Sequence, residues 1–258
     1  MRAPVDTIVA PLFPRNLPWV NAPAGGAMSI IRRDRPMLVE FWDFCRPNSI
    51  RTLPYVKAWH ARYAADGLRV VGVHCPGFAP SRDEDAVRAA VARLEIDHSV
   101  LIDSQLQLWR EYENEGWPAR YLFDGGARLF EYHLGEGGYV ESELAIQRLL
   151  GVEREPLGPL RAEDAPGAIL AAPTPEQPGA YCGPYQAGGV WAVLDGAGTV
   201  RALDARSGVE TERAIDAPGA YALIEHERHT AGELTLELGA GVRCEATCFT
   251  PGAVPLER

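Results

Sequence analysis

The 258-residue chain contains no C-x-x-C motif and no Cys/His cluster at metal-ligand spacing. Its cysteines are Cys45, Cys75, Cys182, Cys244 and Cys248, an odd number, so neither a disulfide framework nor a structural metal site is expected. Cys244 and Cys248 stand four apart in GVRCEATCF, which reads as a strand. There they would share a face with Cα atoms ~13 Å apart, beyond the ~7 Å limit for a bridge, and they are read as small hydrophobes. No apolar run reaches the roughly 18 residues that a membrane-spanning helix needs, so no membrane partner is expected. The first residues, MRAPVDTIVAPLFPRNLPWV, lack a signal-type apolar core because Asp6, Pro11, Pro14, Arg15 and Asn16 interrupt it; the expectation is a cytoplasmic protein. Positive charge is in deficit, 25 basic against 35 acidic residues for a net charge of −10, which argues against nucleic acid and anionic lipid surfaces.

What is present suits one large or two modest domains: 47% of residues are hydrophobic and 23% charged. MLVEFW (37–42) is a short run of strand formers. IRTLPYVKAWHARYAADG (50–67) then places Ile50, Leu53, Val56 and Trp59 or His60 at helical spacing, with Gly67 as a stop. LRVVGVHC (68–75) reads as a strand and RDEDAVRAAVARL (82–94) as a helix whose first-turn acids suit the helix dipole. SVLID (99–103) is a further strand, QLQLWREYEN (105–114) a helix, ARYLFDGGARLFEYHLGEG (119–137) a hairpin turned at Asp124-Gly125-Gly126, and ESELAIQRLL (141–150) a closing helix. The order predicts an α/β domain over 1–152. From Glu153 to Pro178 the prolines at 156, 159, 166, 173, 175 and 178 interrupt any period, which marks a stiff linker. Beyond it GGVWAVLD, GTVRALDA, AYALIEHE, GELTLELG and GVRCEATCF are short strands between turn residues, the pattern of a small all-β sandwich over 179–258.

The stretch FWDFCRPNSIRTLP (41–54) and the later EGWPARYLF (115–123) resemble a thioredoxin-like redoxin of the TlpA/DipZ type, over roughly Pro18 to Leu150. That family carries an acid before Phe-Trp, a C-x-x-C loop, a proline five residues after the second cysteine and a Trp-Pro in a later loop. Glu40, Phe41, Trp42 and Pro54 fit both sides without a gap, so the two cysteine positions fall on Arg46 and Ser49. Disulfide reduction needs one thiolate to attack and a second thiol to resolve, and neither residue supplies one. The resemblance therefore implies a degenerate site in a protein of the cell-redox class.

It further implies that Pro118 is a cis-proline, with Trp117 offering backbone to an extended peptide. Glu40 takes the place of the family's buried acid; on its own chemistry it reads as a strand carboxylate paired with a neighbour such as Lys57 or with solvent. Cys45 stands at the start of a helix beside Arg46, two features that favour a thiolate. Cys75, at the end of the adjacent parallel strand, is a candidate resolving thiol. His226 and His229 are read as exposed polar residues of a turn. The C-terminal part, Thr174 to Gly252, resembles the small β-domain of DipZ-like proteins, which is carbohydrate-binding-module-like; Tyr181, Tyr185, Trp191 and Tyr221 are its candidate sugar platforms. Two functions follow: a pseudo-oxidoreductase that holds a peptide or protein partner, or a redoxin working through the single thiol Cys45. Neither implies a cofactor or a metal.

Overall fold

A computed structural model describes residues 7–22 and 34–254. The chain divides into two compact units: the first runs up to Phe44 and from Asn48 to Leu157, and the second takes Cys45–Pro47 together with the chain from Gly158 onward.

The first unit is built on a six-stranded mixed sheet. Its strands are β1 (Trp19–Val20), β2 (Met37–Trp42), β3 (Arg69–His74), β4 (Ser99–Ile102), β5 (Ala119–Phe123) and β6 (Leu129–Leu134), in the spatial order β1-β4-β3-β2-β5-β6. β2, β3 and β4 run parallel, and β5 and β6 close the sheet as an antiparallel hairpin. β2 is buried at every residue, which is why its sequence is a nearly continuous apolar run and not an alternating one. Successive residues nevertheless go to opposite faces. Val39, Val71 and Phe123 enter one core, while Leu38, Val70 and Leu122 enter the other.

Helices cover both faces. α1 (Pro47–Tyr63) lays Val56 and Trp59 on the second core, joined there by Ala145 and Ile146 of α4 (Tyr139–Leu150). Between them in sequence lie α2 (Glu84–Arg93), capped by Asp83 accepting from the Ala86 N–H, and the short α3 (Gln107–Glu111), whose Leu108 enters the first core. α1 begins three residues before the expected Ile50. Pro47 supplies the preset φ and missing N–H that suit a first helical position. The hairpin turn is held by Asp124, whose Oδ1 accepts from the backbone N–H groups of Gly126 (2.8 Å) and Arg128 (2.9 Å).

The first residues of the segment expected as a stiff linker over 153–178 are fastened to α4. Gln147 of α4 accepts from the Arg154 N–H (2.9 Å) and donates to the Arg154 carbonyl (3.0 Å), and Glu143 accepts from the Leu157 N–H at 2.8 Å. Side chains thus satisfy backbone groups that a proline-broken strand cannot place in a ladder. Further on, β7 (Leu170–Ala171) and β8 (Gln177–Pro178) already pair within the second unit.

That unit is all-β. β9 (Gly183–Gly196), β10 (Gly198–Asp204), β11 (Glu210–Ile215), β12 (Gly219–Leu238) and β13 (Val242–Thr250) join β8 in an antiparallel sheet ordered β11-β10-β12-β9-β13-β8, and β14 (Gly252–Ala253) pairs with β7. AYALIEHE and GELTLELG, expected as two strands, are one 20-residue strand with register shifts between Ala222 and Ile224 and between Glu225 and Thr230. The polar EHERHT stretch is a strand segment containing no Gly or Pro, so the chain bends by irregular pairing and does not turn. At the β9–β10 corner Gly196 has φ +97°, and a Cβ there would lie 2.0 Å from the Gly241 carbonyl oxygen, so no other residue fits. Val190, Ala192 and Leu194 alternate into a core shared with Leu223, Leu234 and Leu236.

Candidate functional site

Three parallel strands place their C-terminal ends on one sheet edge, and the residues just beyond those ends assemble the site. Asp43 follows β2, Cys75 follows β3 and Asp103 follows β4. The parallel ladder continues through them: the Cys75 N–H donates to the Trp42 carbonyl (2.9 Å) and the Asp103 N–H to the His74 carbonyl (2.9 Å).

Ser49, at one implied cysteine position, lies in the first turn of α1 and is fully buried. Its hydroxyl accepts the Asp43 backbone N–H at 3.1 Å, which ties the end of β2 to the helix start. Asp43 in turn accepts from the Gly77 N–H (2.7 Å) and the Ser81 hydroxyl (3.2 Å), and its Oδ1 lies 3.5 Å from His74 Nε2. The His74 ring stacks on Phe44 at 5.2 Å. Arg46, at the other implied position, is half-buried immediately before α1. Cys45 sits in the turn two residues before α1 and is completely buried. That differs from the accessible thiol that reactive cysteine chemistry asks for.

Cys75 is also fully buried, and its Sγ lies 3.6 Å from Asp103 Oδ2 as donor. Burial pushes this thiol well above its ordinary range, and the neighbouring carboxylates Asp103 and Asp43 push it further. Cys45 and Cys75 are not joined in a disulfide. Asp103 also organises the next turn, accepting from the N–H groups of Gln107 (2.6 Å) and Trp109 (2.9 Å).

The Trp117-Pro118 bond is cis. Trp117 is brought against β3: its indole N–H donates to the Cys75 carbonyl at 2.8 Å, and its ring lies 4.3 Å from that of Trp109. The Trp-Pro loop and Cys75 therefore meet directly.

Glu40 is fully buried in the middle of β2, and neither carboxylate oxygen has a hydrogen-bond partner among the described residues. The expected pairing with Lys57 is not made; the Lys57 ammonium donates to the Leu94 carbonyl (2.7 Å) and lies 4.0 Å from Glu95. Directly opposite Glu40 on β5 stands Arg120, also buried, which donates to the Gly137 carbonyl and places its guanidinium 5.0 Å from the Tyr139 ring and 5.6 Å from Trp59. Desolvation raises the Glu40 carboxyl to about 8, and the Arg120 charge offsets only part of it. Sequence reasoning missed Asp43, His74, Asp103 and Arg120. The legible signal was positional: the first three lie at or just after the ends of adjacent parallel strands, where α/β sheets collect functional side chains.

Among the described residues no group of three or more His, Cys, Asp or Glu is arranged to hold a metal ion. No helix of the described residues is long and apolar enough to cross a membrane. In the second unit Tyr185 and Trp191 are buried, while Tyr181 and Tyr221 pack partly buried against its core, so the four aromatics form no exposed platform. His226 is half-buried in β12 with its Nε2 2.9 Å from the Tyr185 hydroxyl, a packed position in place of the expected exposed turn.

The first unit has a thioredoxin-like fold. A solved thioredoxin-like superfamily protein matches it with a TM-score of 0.51 at 19% identity, over 58% of this chain and 100% of that one. In sequence, the chain is similar to curated proteins over about half of its length. It is 32% identical over 133 residues to protein DipZ of Mycobacterium tuberculosis, a match covering 51% of this chain and 19% of DipZ. It is 29% identical over 117 residues to the thiol-disulfide oxidoreductase YkuV of Bacillus subtilis, covering 45% of this chain and 78% of YkuV. The chain thus aligns with about one fifth of the DipZ length. No family model matches it.

Proposed function

We propose that the first unit is a redoxin module with a degenerate dithiol site, which holds a peptide or protein partner at the Trp117-Pro118 loop without ordinary dithiol–disulfide exchange. The observation that carries this reading is the Ser49 hydroxyl. At the place implied for a resolving cysteine, it is a buried acceptor for the Asp43 N–H, a structural task that a thiol performs poorly. The nearby thiols support the same reading: Cys45 is buried, and Cys75 is held by Asp103 and pushed toward its protonated form. Exchange requires a thiolate. The test is site-resolved alkylation of the native full chain, before and after reductant and mild peroxide. Slow, unchanging labelling of Cys45 and Cys75 supports a scaffold; rapid labelling of Cys45 at neutral pH, or its oxidation with Cys75, overturns it.

One observation favours a second reading, a thiol-dependent oxidoreductase or redox sensor. Cys45 stands two residues before the N-terminus of the 17-residue α1, the end at which a helix dipole favours negative charge, while the Arg46 guanidinium next in sequence pairs with Glu176 at 2.9 Å. In that case Cys45 sulfur attacks a substrate disulfide, releases one thiolate, and the mixed disulfide is resolved by Cys75 or by an external thiol. Cytoplasmic placement belongs to either proposal, since both use free thiols or none.

A further inference from the structure

Away from the loop, the first unit carries an open groove of about 570 Å³ between the end of α3 and the β5–β6 hairpin. Aromatic and aliphatic side chains floor it, Tyr112 and Tyr132 among them, and Ile8, Val9 and Leu134 on its margin are 48%, 44% and 46% exposed. So much exposed apolar surface beside one cleft marks an interaction site more often than a solvated face.

Three further observations say what fits there. First, β6 is the edge strand of its sheet. Among the described residues only the short stretch around Val9 pairs along it, through a Val9–Arg128 bridge and a Leu129 N–H to Ile8 carbonyl bond of 2.8 Å. The rest of the strand has no described strand on its outer side. Second, Glu111, Glu113 and Glu115 all line the groove, all are exposed, and none forms an ion pair with a described residue. Third, the Tyr112 hydroxyl is shut off from water with no hydrogen-bond partner among the described residues, and burial raises its pKa. A buried donor left unpaired is uncommon and asks for an acceptor.

We propose that this groove binds an extended segment of a partner protein in which large apolar residues alternate with lysine or arginine. Strand addition along β6 supplies the backbone pairing and turns every second side chain into the groove. The intervening basic residues meet the three glutamates, and a backbone carbonyl of the segment takes the Tyr112 hydroxyl. Trp117 and Pro118 do not themselves line the groove, whereas Tyr112, Glu113 and Glu115 precede them in the same connection between α3 and β5.

The test is fluorescence anisotropy of the full chain with a short labelled peptide alternating lysine and leucine, beside its glutamate–leucine counterpart. The lysine peptide is expected to bind about tenfold or more tightly than the glutamate peptide at low salt, with the gap closing as salt rises. Glu111→Lys/Glu113→Lys/Glu115→Lys, all at exposed positions, removes that preference, Tyr112→Phe weakens binding several-fold, and Arg213→Ala, at an exposed position of the second unit, leaves it unchanged. Circular dichroism of each variant establishes that it is folded. Equal binding of the two peptides, undiminished binding by the triple variant, or loss of binding in Arg213→Ala would each overturn the assignment. So would concentration-dependent self-association that the triple variant abolishes, which would make a second copy the occupant.

Discussion

Replacing Glu40 by glutamine should stabilise the first unit, and by an amount that depends on pH. The carboxyl titrates near its ordinary 4.5 in the unfolded chain and at about 8 in the folded one. The folded state therefore binds more protons than the unfolded state between these values, and stability falls as pH rises through that window. The group's full contribution is present below 4.5 and is lost as pH climbs through 8. At neutral pH the unfolded chain gains ionisation free energy over about 2.5 pH units that the folded chain forgoes, about 3 kcal/mol at ~1.36 kcal/mol per unit. Above pH 8 the difference levels off at about 5 kcal/mol. Glutamine keeps the shape and has nothing to ionise. Glu40→Gln and wild type should be nearly equal in stability at pH 4.5 and diverge steadily in favour of the variant up to pH 8. Urea titrations followed by tryptophan fluorescence are well suited, because Trp19, Trp42, Trp59, Trp109 and Trp117 lie in the first unit and only Trp191 in the second. A difference that stays flat across that range, or a variant weaker at every pH, would refute the assignment of Glu40 as a desolvated acid that Arg120 only partly compensates.

His98 acts in the opposite direction. Burial, then the neighbouring His60 and Lys57, lower it from 6.5 to about 3, so its stabilising contribution is present above 6.5 and is lost as pH falls toward 3. Wild type should lose about 3 kcal/mol from this group between pH 6.5 and 4, and His98→Gln should flatten that acid limb in the same urea titrations. Asp103→Ala removes the acceptor for the Gln107 and Trp109 N–H groups and for the Cys75 thiol. It should destabilise by about 1–3 kcal/mol and speed Cys75 alkylation, since a carboxylate that holds the thiol protonated is gone. Ser49→Ala leaves the buried Asp43 N–H without its acceptor and should lower the thermal midpoint, with a loss of about 1–2 kcal/mol by denaturant titration.

The frame of the first unit was legible because its strands and helices announce themselves by length and period: MLVEFW is apolar throughout, as a central parallel strand must be, and Val56 and Trp59 recur on one helix face. The site was less so. That Glu40 would face Arg120 and miss Lys57 is a fact of register across β2 and β5, and that Ser49 would serve the backbone follows from how the first turn of α1 meets the end of β2, neither of which a local pattern encodes. Asp43, His74 and Asp103 come from three separate strands and meet only through the parallel alignment of β2, β3 and β4. In the second unit EHERHT misled because its polarity resembles a turn, whereas β12 continues through it, bending by irregular pairing. The proline-rich stretch misled in the other direction: it lacks a period, and it is held by Gln147 and Glu143 from a helix it follows.

The central claim is that the loop at the end of β2 keeps a redoxin frame without its dithiol chemistry, and insulin reduction in the presence of dithiothreitol tests it most directly. Wild type should not exceed the uncatalysed rate, and Arg46→Cys/Ser49→Cys, which restores two thiols at C-x-x-C spacing in the same frame, should exceed it clearly. Turnover by wild type that disappears in Cys45→Ser would contradict the account and establish a single-thiol enzyme in its place.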